Sequence, residues 1–309
     1  MNNSYLSKIY RAKSIKEKFG IVRNSINYRK HLFWVERKDV KEILMEDKAY
    51  KKLKKKYEWV LVSEKNKELE TSTRGKKIWV CWFQGIENAP LLVQMCVKRM
   101  KCVFGADRVV VITEQNFCEY VKLPEHIIEK WRKGNISYAH FSDILRIWLL
   151  AEYGGTWIDS TVMILSKKIP EYFFNEELFV FSNMKRNSII NMSNWFITAY
   201  SHNRIIECMK RLLDEYWKEE DYAIHYLFFH LLFVMATENY PELWKKVPKF
   251  SNIQPHILAN EVLEQYNEKR LEQIAEMCGI QKLSNKIFAD EQQQNSYYNT
   301  LLKGEIKFY

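Results

Sequence analysis

Apolar residues recur along this chain with two different periods, and the switches between them outline a fold. Lys76-Lys77-Ile78-Trp79-Val80-Cys81-Trp82-Phe83 is an apolar run of buried-strand type, closed by a Gln84-Gly85 turn. Helical spacing follows over residues 90 to 100, and Arg108-Val109-Val110-Val111-Ile112-Thr113 then reads as a second, β-branched strand. Strand, helix and strand at that distance form a βαβ unit, which predicts an α/β fold around a parallel sheet. Farther on, Tyr138 to Tyr153 carries a strong helical pattern stopped by Gly154-Gly155, and residues 156 to 165 have the character of one strand. Beyond residue 200 the pattern predicts helices over 204–220, 222–237 and 260–278.

Residues 1–75 also show helical periodicity and end in the polar stretch Glu70-Thr71-Ser72-Thr73-Arg74-Gly75. This divides the chain into an N-terminal helical arm, 1–75, and a main domain, 76–309. Within the main domain a core over 76–200 precedes a helical part over 201–309.

Composition narrows the class. A chain of 309 residues that is 47% hydrophobic and 28% charged, with only 9 Gly and 6 Pro, folds around a sizeable core. Its six cysteines show no C-x-x-C spacing, so neither a zinc knuckle nor a disulfide framework is indicated and reduced thiols are expected. The N-terminal residues lack the order of a secretory leader, and no window holds the ~18 consecutive apolar residues of a spanning helix. A cytoplasmic protein is the expectation.

Charge is unevenly placed. Residues 1–75 hold 20 Lys and Arg against 10 Asp and Glu, while the remainder balances at 28 against 28, so the net charge of +10 lies in the first quarter of the chain. Lys51, Lys52, Lys54, Lys55 and Lys56 sit among Tyr50, Tyr57 and Trp59, the pattern of an amphipathic helix that lies on an anionic membrane surface. A solvated helix face is the equally weighted alternative. No helix-turn-helix, RNP or zinc-finger pattern supports a nucleic-acid partner.

Candidate chemistry concentrates in Ser142-Asp143-Ile144-Leu145-Arg146 and, after the helix ends, Gly154-Gly155-Thr156-Trp157-Ile158-Asp159-Ser160-Thr161. Asp143 and Arg146, three apart, share a helix face and can pair or address one polar ligand. Asp159 closes a short apolar strand, where α/β folds place ligand groups. Two other residues, His225 and His230, are five apart, a spacing that puts them on diverging helix faces and suggests buried histidines rather than a shared ligand set.

Ser-Asp-x-x-Arg, a helix, Gly-Gly, an aromatic, one apolar residue and Asp together resemble the capsular polysaccharide synthesis glycosyltransferases. Och-type mannosyltransferases and the glucosyltransferase domains of the large clostridial toxins share the pattern. The opening strand 78–85 is similar to the first nucleotide-binding strand of those enzymes, and Gln281-Lys282-Leu283-Ser284 to a late motif.

The resemblance implies a GT-A fold and a retaining transfer of sugar from a nucleotide-sugar donor, with uridine diphosphate as the carrier. The acceptor would be a surface-polysaccharide unit; its attachment to a polyprenyl diphosphate is an inference from charge, since it would explain a basic arm that holds the protein at the inner face of the plasma membrane. Two other roles share the donor motif: an effector that glycosylates protein, and a non-catalytic nucleotide-sugar-binding scaffold.

Residue by residue, the resemblance implies that Trp82, Phe83 and Gln84 bind the nucleotide, Trp82 by stacking on the base. Asp143 and Arg146, with Gly154 and Gly155, would contact the donor sugar, and His256 and Lys282 the diphosphate. Asp159 is the first acid of the family's Asp-x-Asp element, which orients the donor and holds a divalent cation, Mn2+ or Mg2+. Thr161 stands at the second acidic position. A hydroxyl is a weaker ligand for a hard cation, so the ion would be held through Asp159, water and phosphates.

Overall fold

The computed structural model describes residues 15–68, 70–183, 189–286 and 295–304. Met1–Lys48 and Ala49–Tyr309 separate as two units. The first is helical throughout its described part. Helix α1, Ile15–Lys65, leaves helical geometry only at Tyr57 (φ −112°, ψ 17°). The expected arm therefore divides, because the helix from Ala49 onward belongs to the core. Ala49, Leu53, Tyr57, Val60 and Leu61 recur at helical spacing and are all buried among side chains of the main domain. Two lysines of the basic cluster are tied down as well, Lys54 to Glu238 at 2.5 Å and Lys56 to Glu219 and Glu220 at 2.8 and 2.5 Å.

The second unit is a mixed α/β structure around a six-stranded sheet. In chain order the strands are β1 (Ile78–Cys81), β2 (Val109–Ile112), β3 (Gly155–Ile158), β4 (Val162–Ile164), β5 (Leu178–Ser182), β6 (Met192–Ala199), β7 (Phe250–Ser251) and β8 (Ile280–Lys282). The main sheet runs β2-β1-β3-β6-β5-β7, and β4 and β8 form a small separate pair. β1 pairs in parallel with β2 and β3, so the predicted βαβ unit is present, its crossover being helix α2 (Leu91–Phe104). β6 pairs antiparallel with β3 and β5, and β7 returns parallel to β5.

Both faces of the sheet are covered, which accounts for strands that are apolar at nearly every position. Trp79, Trp157, Val180 and Ile197 point into one core, and Ile78, Val80, Ile158, Phe179, Phe181 and Phe196 into the other. Each large side chain so buried contributes roughly 2–3 kcal/mol. Helix α5 (Tyr138–Tyr153) lies over the first face, after the short α3 (Phe117–Tyr120) and α4 (Glu125–Arg132). Ser137 caps its start by accepting from the His140 backbone N–H, and α5 packs against β1, β3 and β6 and against α7 (Arg204–Glu219), which follows the short α6 (Tyr172–Asn175).

Several expected elements are divided. Residues 156–165 are two strands, because the chain leaves the main sheet at Asp159, where the Val162 N–H closes a turn on the Asp159 carbonyl at 3.0 Å. The segment after 200 is not purely helical. Helix α8 (Phe228–Asn239) starts six residues later than predicted, and α9 (Pro241–Lys246) precedes β7. The expected helix over 260–278 is two, α10 (Ile257–Glu261) and α11 (Glu268–Met277), the second capped by Asn267, and β8 and α12 (Tyr297–Lys303) complete the chain order. Among the described residues no helix is long and apolar enough to cross a membrane.

Candidate active site

Because β1 and β3 are parallel, the residues that follow them emerge at the same edge of the sheet. Trp82, Phe83 and Gln84 leave β1 there, and Asp159, Ser160 and Thr161 leave β3. Helix α5 supplies His140, Asp143 and Arg146 from above, β6 supplies Asn194, the start of α8 supplies His230, and β8 brings Lys282. These residues line a cavity of about 760 Å³, within the range of small-ligand sites. A smaller cavity of about 540 Å³ lies beside Tyr120, Trp148 and Asp214 and holds none of the residues singled out from the sequence.

The centre of the site is a chain of alternating charges. Arg146 donates from Nη1 to Asp143 Oδ1 at 2.7 Å and from Nη2 to Asp159 Oδ1 at 3.3 Å. Its guanidinium lies 4.7 Å from the Trp157 ring centre and 5.6 Å from that of Phe229, and only 4% of its side chain is exposed. A buried guanidinium requires opposite charge and hydrogen-bond acceptors, and the two carboxylates provide both. Asp143 Oδ1 also accepts from Asn194 Nδ2 at 2.9 Å, and His140 Nδ1 lies 3.6 Å from Oδ2. Asp159 Oδ1 accepts from Trp157 Nε1 at 2.9 Å, while Oδ2 faces Lys282 Nζ at 3.5 Å. Lys282 donates to Thr161 Oγ1 at 2.6 Å and to the Leu283 carbonyl at 3.2 Å.

Two neighbouring groups, His230 and Cys81, are held neutral by burial. Burial, opposed by the Asp143 charge and reinforced by that of Arg146, lowers His230 from its ordinary 6.5 to about 4. Burial likewise pushes the Cys81 thiol up to about 12, so it stays protonated and is a poor nucleophile.

Most of the expected residues converge. Trp82 lines the cavity half-buried, its Nε1 without a hydrogen-bond partner. Phe83 is committed to an aromatic cluster with Trp131, Tyr138 and Phe141 and shows only 7% of its surface. Gln84 is exposed at the rim, its carbonyl accepting from Asn88 at 2.8 Å. Arg146, expected as a direct sugar ligand, lines the cavity and holds both carboxylates with one hydrogen bond from each terminal nitrogen.

Gly154 and Gly155 are not at the cavity. They open β3 at the opposite edge of the sheet, where Trp79 Nε1 donates to the Gly154 carbonyl at 2.9 Å. Their need for glycine is backbone-deep: Gly155 has φ 94°, and a Cβ there would sit 2.4 Å from the Lys77 carbonyl oxygen. His256 also lies outside, against the Asn252 carbonyl at 2.5 Å and the Trp195 ring. His225 precedes α8 and accepts from the Leu227 N–H at 3.1 Å, so only His230 reaches the site. Sequence reasoning passed over His140, although it sits one helical turn before Asp143. Asn194 carried no local signal, because its strand was not recognised.

The residues present do not suit a divalent cation. Asp159 is the only carboxylate at the expected position, and both its oxygens already face donors or a fixed cation. Thr161 accepts from an ammonium, and among the described residues no three His, Cys, Asp or Glu side chains converge as a ligand set.

A family model described as Capsular polysaccharide synthesis protein matches residues 29–301. The chain belongs to this family. It is also similar to the O-glycosyltransferase braB of Annulohypoxylon truncatum, 26% identical over 263 residues that cover 74% of this chain. The match spans 60% of that relative's length. A distant likeness links it to the solved PaToxG glycosyltransferase, at 15% identity and a TM-score of 0.40, covering 86% of this chain and 98% of that one.

Proposed function

We propose that this member of the capsular polysaccharide synthesis family is a retaining glycosyltransferase that takes a sugar from a uridine-diphosphate donor. The observation that carries the proposal is the charge chain Asp143–Arg146–Asp159–Lys282 along a cavity at the emerging ends of two parallel strands. A nucleotide sugar presents a flat base, an anionic diphosphate and a ring of hydroxyls. Trp82 offers an indole face to the base, Lys282 a cation to the diphosphate, and Asp143, Asp159 and Asn194 fixed polar groups to the sugar. The uridine carrier is taken from the family resemblance.

Cys81 is protonated, His230 is neutral and Arg146 engages both carboxylates, so none of these four groups is an activated nucleophile or strong base. The departing phosphate then takes the acceptor's proton on the face where it leaves, which gives retention. The protein's part is to orient the donor and stabilise developing charge.

The acceptor in this proposal is a surface-polysaccharide unit, in keeping with the family description, and its polyprenyl diphosphate carrier is inferred from the basic, aromatic face of α1. Lys52, Lys55, Trp59 and Val62 are exposed on one side of α1, opposite its buried stripe, and suit contact with an anionic membrane. Charge reversal at Lys52 and Lys55 should lower co-sedimentation with anionic vesicles; unchanged sedimentation removes this contact from the proposal.

A panel of nucleotide sugars, scored by thermal shift and by released nucleotide, tests the activity. One donor should raise the melting temperature and be slowly hydrolysed. Asp159→Asn should abolish release in a protein that still folds, and Trp82→Ala should weaken donor affinity. Full turnover by Asp159→Asn would place the donor site elsewhere.

A further inference from the structure

The position where the family resemblance implies a divalent cation is instead built around an ammonium group. We propose that Lys282, seated on Thr161, takes the place of that cation, so that this chain transfers its sugar independently of metal. The inference rests on the glycosyltransferase reading and deepens it.

Two neighbouring strands create the arrangement. In the antiparallel β4–β8 pair Val162 lies opposite Lys282, and the Leu283 N–H donates to the Thr161 carbonyl at 3.0 Å, so the ladder fixes residue 282 beside residue 161. The ammonium nitrogen lies 2.6 Å from Thr161 Oγ1, 3.2 Å from the Leu283 carbonyl and 3.5 Å from Asp159 Oδ2, with hydrogen bonds to the first two. A cation is therefore held at the aspartate by strand register rather than by a flexible tether. It lines the same cavity as Trp82 and Asp143.

The residue at 161 decides what that cation can do. An aspartate there would pair with Lys282, and a second carboxylate beside Asp159 would favour recruitment of a divalent ion. Threonine accepts one N–H without neutralising the charge, leaving the ammonium to attract phosphate oxygens. A divalent ion bound to Asp159 Oδ2 would also stand close to the Lys282 ammonium, which lies 3.5 Å from that oxygen, a repulsion that a binding site for such an ion avoids. Thr161 and Lys282 thus act together: one removes the metal ligand and the other supplies the charge.

In the transfer step the bond between the sugar's anomeric carbon and the diphosphate oxygen breaks, its electron pair leaving with the nucleoside diphosphate. The acceptor oxygen forms the new bond to that carbon, and its proton passes to the departing phosphate. Negative charge grows on the diphosphate, and Lys282 is placed to stabilise it.

The test measures nucleotide release from the sugar donor, and binding of uridine diphosphate by calorimetry, with a chelator or with added Mn2+. Wild-type release should stay within about twofold on chelation, Lys282→Met should lose at least about 100-fold, and Lys282→Arg should keep most of the rate. The double variant Thr161→Asp with Lys282→Ala should bind Mn2+, read directly by electron paramagnetic resonance, and depend on it for donor binding. Circular dichroism establishes that each variant is folded.

Loss of wild-type release on chelation with recovery on Mn2+ overturns the proposal while leaving the glycosyltransferase reading intact. So does a Lys282→Met protein that works as well as wild type. A folded wild-type protein that neither binds nor hydrolyses any donor, with or without metal, overturns the glycosyltransferase reading itself, and this inference falls with it.

Discussion

Acid should destabilise this protein through His230 in a measurable and assignable way. The side chain is buried beside Asp143 and Arg146, and its pKa is lowered from 6.5 to about 4. A depressed histidine pKa means that the unfolded chain binds the proton more readily, so stability is fully present above about 6.5 and declines as pH falls toward 4. The shift corresponds to about 3 kcal/mol in total, of which about 2 kcal/mol is lost by pH 5. That is a large share of an ordinary domain's ~5–15 kcal/mol.

Other groups titrate over the same range, so the comparison is with His230→Gln, which keeps a polar side chain of similar size and removes the titration. Urea unfolding of both proteins between pH 7.5 and 5 gives the two slopes. The wild type should lose about 2 kcal/mol more than the variant across that interval. Parallel curves would falsify the claim that His230 is buried in its neutral form.

Arg146→Lys keeps a positive charge but loses the planar fork that joins Asp143 to Asp159 and the stacking on Trp157. It should cut donor turnover at least about 10-fold and lower stability by about 2–4 kcal/mol, read by nucleotide release and chemical unfolding; near-wild-type values in both would show that bidentate geometry is unimportant. Gly155→Ala forces a Cβ to 2.4 Å from the Lys77 carbonyl in a left-handed backbone region. The cost should be at least about 2 kcal/mol in unfolding free energy with donor affinity of the folded fraction unchanged, and a stable variant with lost affinity would return this glycine to the sugar site.

Local chemistry specified much of this molecule before any packing was known. The apolar run at Ile78, the β-branched run at Val109 and the helical spacing between them define a βαβ unit from nearest-neighbour preferences alone, and the structure contains it. Asp143 and Arg146 were legible as a pair because three residues on a helix always share a face. Asp159 was legible because it ends an apolar strand.

Tertiary structure decided what those residues meet. Nothing local marks Asp159 as the place where one strand leaves the main sheet and another begins, since that break depends on the partners β6 and β8. The glycine pair carries a motif yet serves the backbone, because its constraint comes from Lys77 and Ser201, far away in sequence. Lys282 stands 121 residues beyond Thr161, and only strand pairing brings its ammonium to the hydroxyl. Periodicity reports which face of an element is buried; the identity of the charge waiting across the cavity is set by long-range register, which no short window of sequence contains.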